Sequence, residues 1–131
     1  MAEGRCNCAS IKVSIPAMPE QSAICYCSNC RRAGSTVGSI VYVLEKTDVT
    51  VHDPGNKLKS YKDSDTTSKN TITRQFCSGC GSPVMSLFAG ESSQVILKGG
   101  LFEHIPPPAF KSFEQEEPKW LKVTKFGEES L

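Results

Sequence analysis

This chain has little of what would tie it to a membrane, to secretion or to nucleic acid. Its longest apolar run, Ile40 to Leu44, falls far short of the roughly 18 residues a membrane-spanning helix needs. The opening "MAEGRCNC" carries no apolar segment of the secretory kind. No block of basic residues stands out: 15 Lys and Arg are interleaved with 14 Asp and Glu, for a formal charge of +1. The electrostatic footprint of a nucleic-acid binder is therefore missing. No internal repeat and no second domain can be discerned. At 131 residues, with 38% apolar and 22% charged residues, the chain reads as one globular domain over residues 1–131, with its core in about 4–122. These absences predict a cytoplasmic protein without a membrane or nucleic-acid partner, and they leave the oligomeric state open.

What is present in excess is cysteine. Seven thiols in a reducing compartment are better explained by metal than by disulfides. They fall into three groups: Cys6-x-Cys8, Cys25-x-Cys27-x₂-Cys30 and Cys77-x₂-Cys80-Gly81. The last has the form of a zinc knuckle, in which Gly81 relieves the backbone after the second thiolate and Gly79 assists inside the loop. Structural zinc takes four protein ligands and closes, whereas catalytic zinc takes three and keeps one position open. Seven is four plus three, so two ions per chain are expected. Two partitions fit the spacing. Cys6 and Cys8 could join Cys77 and Cys80, leaving Cys25, Cys27 and Cys30 as the open set. Alternatively, Cys27 and Cys30 could join Cys77 and Cys80, leaving Cys6, Cys8 and Cys25. The first has one physical advantage, since it closes a long loop.

The rest of the chain reads as strands. Period-2 alternation or β-branched enrichment marks 10–15, 39–44, 48–53, 58–63, 69–76, 83–90 and 93–100. Helix is expected only for a turn or two after Cys27 and for a short piece at 106–110. There "IPPPAF" argues against strand pairing, because proline lacks an amide donor. Residues 63–70 read as a polar loop.

The motifs "GRCNCASIKVSI", "CYCSNCRRAGS" and "RQFCSGCGSPV", followed by "VILKGGLF" and a late Pro-Lys-Trp, resemble the glutathione-dependent formaldehyde-activating family, which includes centromere protein V. The likeness runs from about Gly4 to Trp120. It implies a mostly β, Mss4-like β-tent of antiparallel sheets stapled by zinc. It also implies a structural zinc on Cys6, Cys8, Cys77 and Cys80 and a second zinc on Cys25, Cys27 and Cys30 facing the substrate. The implied activity is that of a carbon–sulfur lyase forming or cleaving a thiol–aldehyde adduct such as S-hydroxymethylglutathione, with glutathione as co-substrate. The chain departs from the family at Tyr26, where members usually carry His, and at Phe102, where they usually carry Asp.

Further residues follow from the chemistry of an open three-thiolate zinc. A free thiol is only about 3% ionised at pH 7, and coordination ionises it. Catalysis must then come mainly from holding the aldehyde carbon and stabilising the developing alkoxide. Arg31, with Arg32, could offset the charge of the centre or receive a carboxylate. Tyr26 could donate to an oxyanion or point into the core. His104 could close the site as a fourth ligand, and His52 reads as a strand end. Trp120 reads as a core aromatic, and Phe102 and Phe110 as packing residues able to wall a pocket. A reading from another class is a non-catalytic zinc-stapled scaffold that binds a protein.

Overall fold

A computed structural model describes residues 1–128. Two open β-sheets share one core. The smaller holds β1 (Ala2–Arg5), β2 (Lys12–Ile15) and β5 (Thr50–His52), all antiparallel, in the order β1-β2-β5. The larger holds β3 (Ser22–Cys25), β4 (Ser39–Glu45), β6 (Leu58–Asp63), β7 (Ile72–Cys77), β8 (Pro83–Leu87), β9 (Gln94–Lys98) and β10 (Pro108–Ser112), in the order β10-β3-β4-β9-β8-β7-β6. A short helix, α1 (Ser28–Gly34), follows β3, and among the described residues it is the single α-helix. Two open sheets with little helix are the β-tent architecture that the resemblance implied.

Alternation along each strand decides which side of the large sheet faces the core. Tyr42, Val95, Leu97 and Met85 point inward, meeting Val13 and Ile15 of β2 together with Ile11. Each side chain of this kind, fully buried, contributes about 1.5–3 kcal/mol. The intervening residues face the other way. Val43, Ile96, Ser86 and Arg74 stand side by side in register across β4, β9, β8 and β7. Ala23, Val41 and Lys98 form the next row across β3, β4 and β9. Because side chains alternate with period 2, burying one set fixes the other set on the opposite face.

The expected helix at 106–110 is instead strand β10, which pairs parallel with β3 at the sheet edge. Prolines are tolerated there because an edge strand needs donors on one side only. Their carbonyls still accept: Ser22 N donates to Pro107 O at 3.1 Å, and Ser22 Oγ to Pro106 O at 2.8 Å. Strands β1 and β3 add to those read from sequence, and residues 99–101 form a 3-10 turn after β9. Trp120, expected in the core, lies 78% exposed in the segment after Pro118, beyond the last strand. Phe102 is buried and meets the Tyr42 ring edge-on, at 6.0 Å between centroids.

Candidate metal centres and the cleft between strands

The seven cysteines gather as four and three. Cys6, Cys8, Cys77 and Cys80 form one group and Cys25, Cys27 and Cys30 the other, with the sulfurs of each group within 4.8 Å of one another. The alternative partition, with Cys27 and Cys30 joining Cys77 and Cys80, is thereby excluded.

Two knuckles build the group of four. After Cys6-Asn7-Cys8 the chain turns at Ala9, whose φ is 65°, and Ala9 N donates to Cys6 O at 3.1 Å. After Cys77-Ser78-Gly79-Cys80 it turns at Gly81, whose φ is 81°, and Gly81 N donates to Cys77 O at 2.7 Å. Asn7 N donates to Ser82 Oγ at 2.9 Å, tying one knuckle to the other. The sulfurs of Cys6 and Cys8, and of Cys8 and Cys77, lie 3.7 Å apart. Four sulfurs at about 2.3 Å from a tetrahedral zinc would be about 3.8 Å apart, so this cage fits that ion. Hydroxyls surround it: Ser10 Oγ lies 3.0 Å from Cys8 Sγ and 3.3 Å from Cys77 Sγ, and Ser82 Oγ 3.2 Å from Cys80 Sγ. The Ser82 hydroxyl and amide hold Cys80 well below the usual thiol range, at about 5. Cys6 and Cys77 are buried within the core itself.

The group of three comes from one short stretch. Cys25 ends β3, Cys27 caps α1, and Cys30 stands in the first turn of that helix. Cys30 N donates to Cys27 Sγ at 3.4 Å, and Arg31 N to Cys27 O at 2.8 Å. The backbone between the ligands is fixed from the sheet edge, where Tyr26 N donates to Ser112 O at 3.0 Å. On its other side the chain passes so close to Gly38 that a Cβ there would lie 2.7 Å from Cys25 O. The Cys30 thiol lowers its neighbour Cys25 to about 5, and the same contact, with burial, pushes Cys30 up. Among the described residues no histidine, carboxylate or further thiol joins these three.

The trio opens on a cleft of about 340 Å³ whose floor is the outward face of the large sheet. Helix α1 and the 64–70 loop form one wall, and Phe110 and Phe113 another. Asn29 joins helix to loop: its Nδ2 donates to Asp65 O at 2.8 Å, and its Oδ1 accepts from Thr67 N at 2.9 Å and Thr67 Oγ1 at 3.0 Å.

Two cations enter the cleft. Arg74 Nε bonds Asp63 at 2.7 Å. Lys98 is buried, and its Nζ donates to Ser39 Oγ at 2.8 Å. Among the described residues no carboxylate pairs with Lys98. Burial, with the charge of Arg74, pulls its pKa below the ordinary lysine value against the opposing pull of Cys30, Cys25 and Cys27. Sequence reasoning missed Lys98, Arg74, Ser39 and Asn29: strand register brings the first three here, whereas Asn29 sits on α1 between Cys27 and Cys30. The alternation of "SQVILKGG" does put Lys98 on the face of Ile96, and that was the available signal.

Other sequence candidates lie elsewhere. Arg31 and Arg32 are exposed on the last turn of α1 and do not line the cleft. Tyr26 is 1% exposed, its hydroxyl has no hydrogen-bond partner among the described residues, and burial raises its pKa. His104 is exposed, away from both groups, and His52 ends β5 opposite Lys12.

Residues 1–120 match the family model described as glutathione-dependent formaldehyde-activating enzyme. Among solved structures, a Rhodobacter sphaeroides protein determined as a structural-genomics target is similar, with a TM-score of 0.63. It is 18% identical, and the match covers 84% of this chain and 99% of that one, a likeness of fold. No curated protein matches. No helix of the described residues is long and apolar enough to cross a membrane.

Proposed function

Because the chain belongs to the glutathione-dependent formaldehyde-activating enzyme family, we propose that it is a zinc-dependent carbon–sulfur lyase that forms or cleaves a thiol–aldehyde adduct. The observation that carries this reading is the group of three thiols, joined by no fourth ligand among the described residues and opening onto a cleft. A structural staple would close its coordination; three ligands beside a cavity are the pattern of a site that receives a substrate atom.

A zinc ion on Cys25, Cys27 and Cys30 would supply a fourth position at which a substrate thiol is held ionised. The chain's own residues account for the rest. The walls of the cleft hold the carbonyl carbon beside the sulfur and keep water from competing. A carbon–sulfur bond forms, the carbonyl π pair moves onto oxygen, and that oxygen takes a proton from solvent in place of the one the thiol released on ionising; cleavage runs the same steps backward. Lys98, pinned by Ser39 and unpaired with any carboxylate among the described residues, is placed to stabilise the alkoxide and to offset the negative charge of a three-thiolate zinc. Tyr26, with its side chain in the interior, and Arg31, on the outer turn of α1, remain sequence candidates without a contact to the cleft.

The test is Cys27→Ser. Zinc is expected to fall from two per chain to one, and the loss of thiol and aldehyde from a mixture of the two should no longer be accelerated. The far-ultraviolet spectrum and melting behaviour should still be those of a folded protein. Collapse of the fold would make this cluster a staple, and unchanged turnover would remove it from the reaction.

A further inference from the structure

The floor of the cleft has an unusual makeup for a site expected to take glutathione. That tripeptide carries two carboxylates, an ammonium and two amides, each of which must find a partner when taken out of water. Against those two carboxylates the lining sets one cation without a carboxylate partner among the described residues, Lys98. Arg74 is paired with Asp63 at 2.7 Å, and Lys98 is held on Ser39 at 2.8 Å. At the rim, Thr66 Oγ1 donates to Asn70 O at 2.6 Å and Thr67 Oγ1 to Asn29 Oδ1 at 3.0 Å. The remaining surface is mostly hydrocarbon: Val41, Val43, Ile72, Phe88, Ile96 and Phe110.

Two of these residues are exposed in a way the core does not explain. Val43 is 48% and Phe110 64% exposed, and both border the three-cysteine cluster's cleft. Strand register places Val43 beside Ile96 in the middle of the sheet, with Ser86 and Arg74 next in the row, so this is a shared apolar patch and not an isolated side chain. A volume of about 340 Å³ is at the small end of the range for ligand pockets, about 300–1,000 Å³. A group that covered this floor would gain about four-fold in affinity for each methylene it buries.

Building on the open-site reading, we propose that the thiol adduct accepted here carries an apolar body, alkyl or aryl, seated on Val41, Val43, Ile96 and Phe88. Its one oxygen lies toward Lys98, and the charged peptide of glutathione is excluded. Val43 and Ile96 thereby act as specificity residues, on a face that the core leaves free.

The test measures binding of three probes to the zinc-loaded protein by calorimetry. They are straight-chain thiols from ethanethiol to octanethiol, the matching primary alcohols, and glutathione. Affinity should rise about four-fold per methylene in both series until the cleft is filled. Each thiol should bind tighter than its alcohol, and hexanethiol tighter than glutathione. Val43→Asp, at a half-exposed position, should flatten the chain-length dependence and leave zinc at two per chain. Flat series, or glutathione binding tighter than hexanethiol, would overturn the apolar body while leaving the open zinc position intact. A chain-length rise with no advantage of thiol over alcohol would keep the apolar cleft and sink the zinc–thiol reading instead. A rise that Val43→Asp does not alter would place the binding elsewhere and overturn the inference.

Discussion

The two cysteine clusters use the same ligand for opposite ends. The group of four draws its ligands from remote parts of the chain: Cys8 and Cys77, whose sulfurs are 3.7 Å apart, are separated by 69 positions. It is anchored in the core by Cys6 and Cys77, almost wholly buried, while Cys8 is exposed at its outer side. The group of three lies within six consecutive residues, closes no long loop and opens on a cleft. Holding a long loop shut constrains the unfolded chain and adds stability; holding three neighbours together adds almost none. On the proposed reading, ligand spacing in sequence separates a staple from a substrate site, even where the ligand atoms are identical.

The sharpest way to break that contrast is Cys77→Ser. Structural zinc binds with about 10–16 kcal/mol, comparable to the about 5–15 kcal/mol net stability of a whole domain. The variant is therefore expected to be unfolded or insoluble, as read by circular dichroism, unlike Cys27→Ser. A folded Cys77→Ser protein would show that the two clusters are not different in kind.

Lys98→Met probes the proposed substrate site without touching a ligand. Two zinc ions per chain should remain, with the rate of adduct formation lowered about 10²–10³-fold, as for loss of an oxyanion partner. An unchanged rate would leave Lys98 with only a structural part. Asn29→Ala acts on the cleft wall. Its three hydrogen bonds to the 64–70 loop are largely solvent-exposed, so about 1–2 kcal/mol should be lost. Amide exchange should quicken at Asp65 to Thr67 and stay the same around Cys77.

The smallest effect should come from Asp53→Asn on the staple side. The Asp53 carboxylate accepts from Lys57 N and Leu58 N, each at 2.8 Å. Leu58 pairs with Cys77 and Lys57 O accepts from Ser78 N, so this turn supports the second knuckle. The amides of Leu58 and Lys57 hold the Asp53 carboxyl below its ordinary value. Its contribution is thus present above the usual carboxylate range and fades as pH falls through the lowered value. Thermal melts of the two proteins should differ slightly at pH 7 and converge in strong acid; a gap that persists in acid would point to a cause other than charge.

The cysteine groups and most strands were legible in the sequence because both signals are local. "SIVYVL", "LKSYKD" and "PVMSL" carry their alternation or composition within a few residues, and the knuckle announces itself through Gly81. Strand β3, "SAIC", was too short to show a period and merges into the metal motif. Strand β10 was hidden by its prolines, whose missing donors matter less on an edge than in mid-sheet. The four-plus-three division stayed ambiguous because it depends on which knuckle meets which across the sheets. Lys98, Arg74 and the apolar floor were out of reach for the same reason. They become neighbours only through the register of β4, β9, β8 and β7, which no short window of sequence contains.

The parallel pairing of β10 with β3 bears on the order of events at the ribosome. Strand β3, with Cys25 at its end, has β4 on one side and waits for Pro108 to Ser112 on the other. Until that late segment emerges, the nascent chain carries a bare strand edge next to three uncovered sulfurs. Such an edge templates aggregation, and uncovered thiols invite oxidation. A product cut short before Pro108 would keep both hazards permanently, even though every one of its seven cysteines had been made.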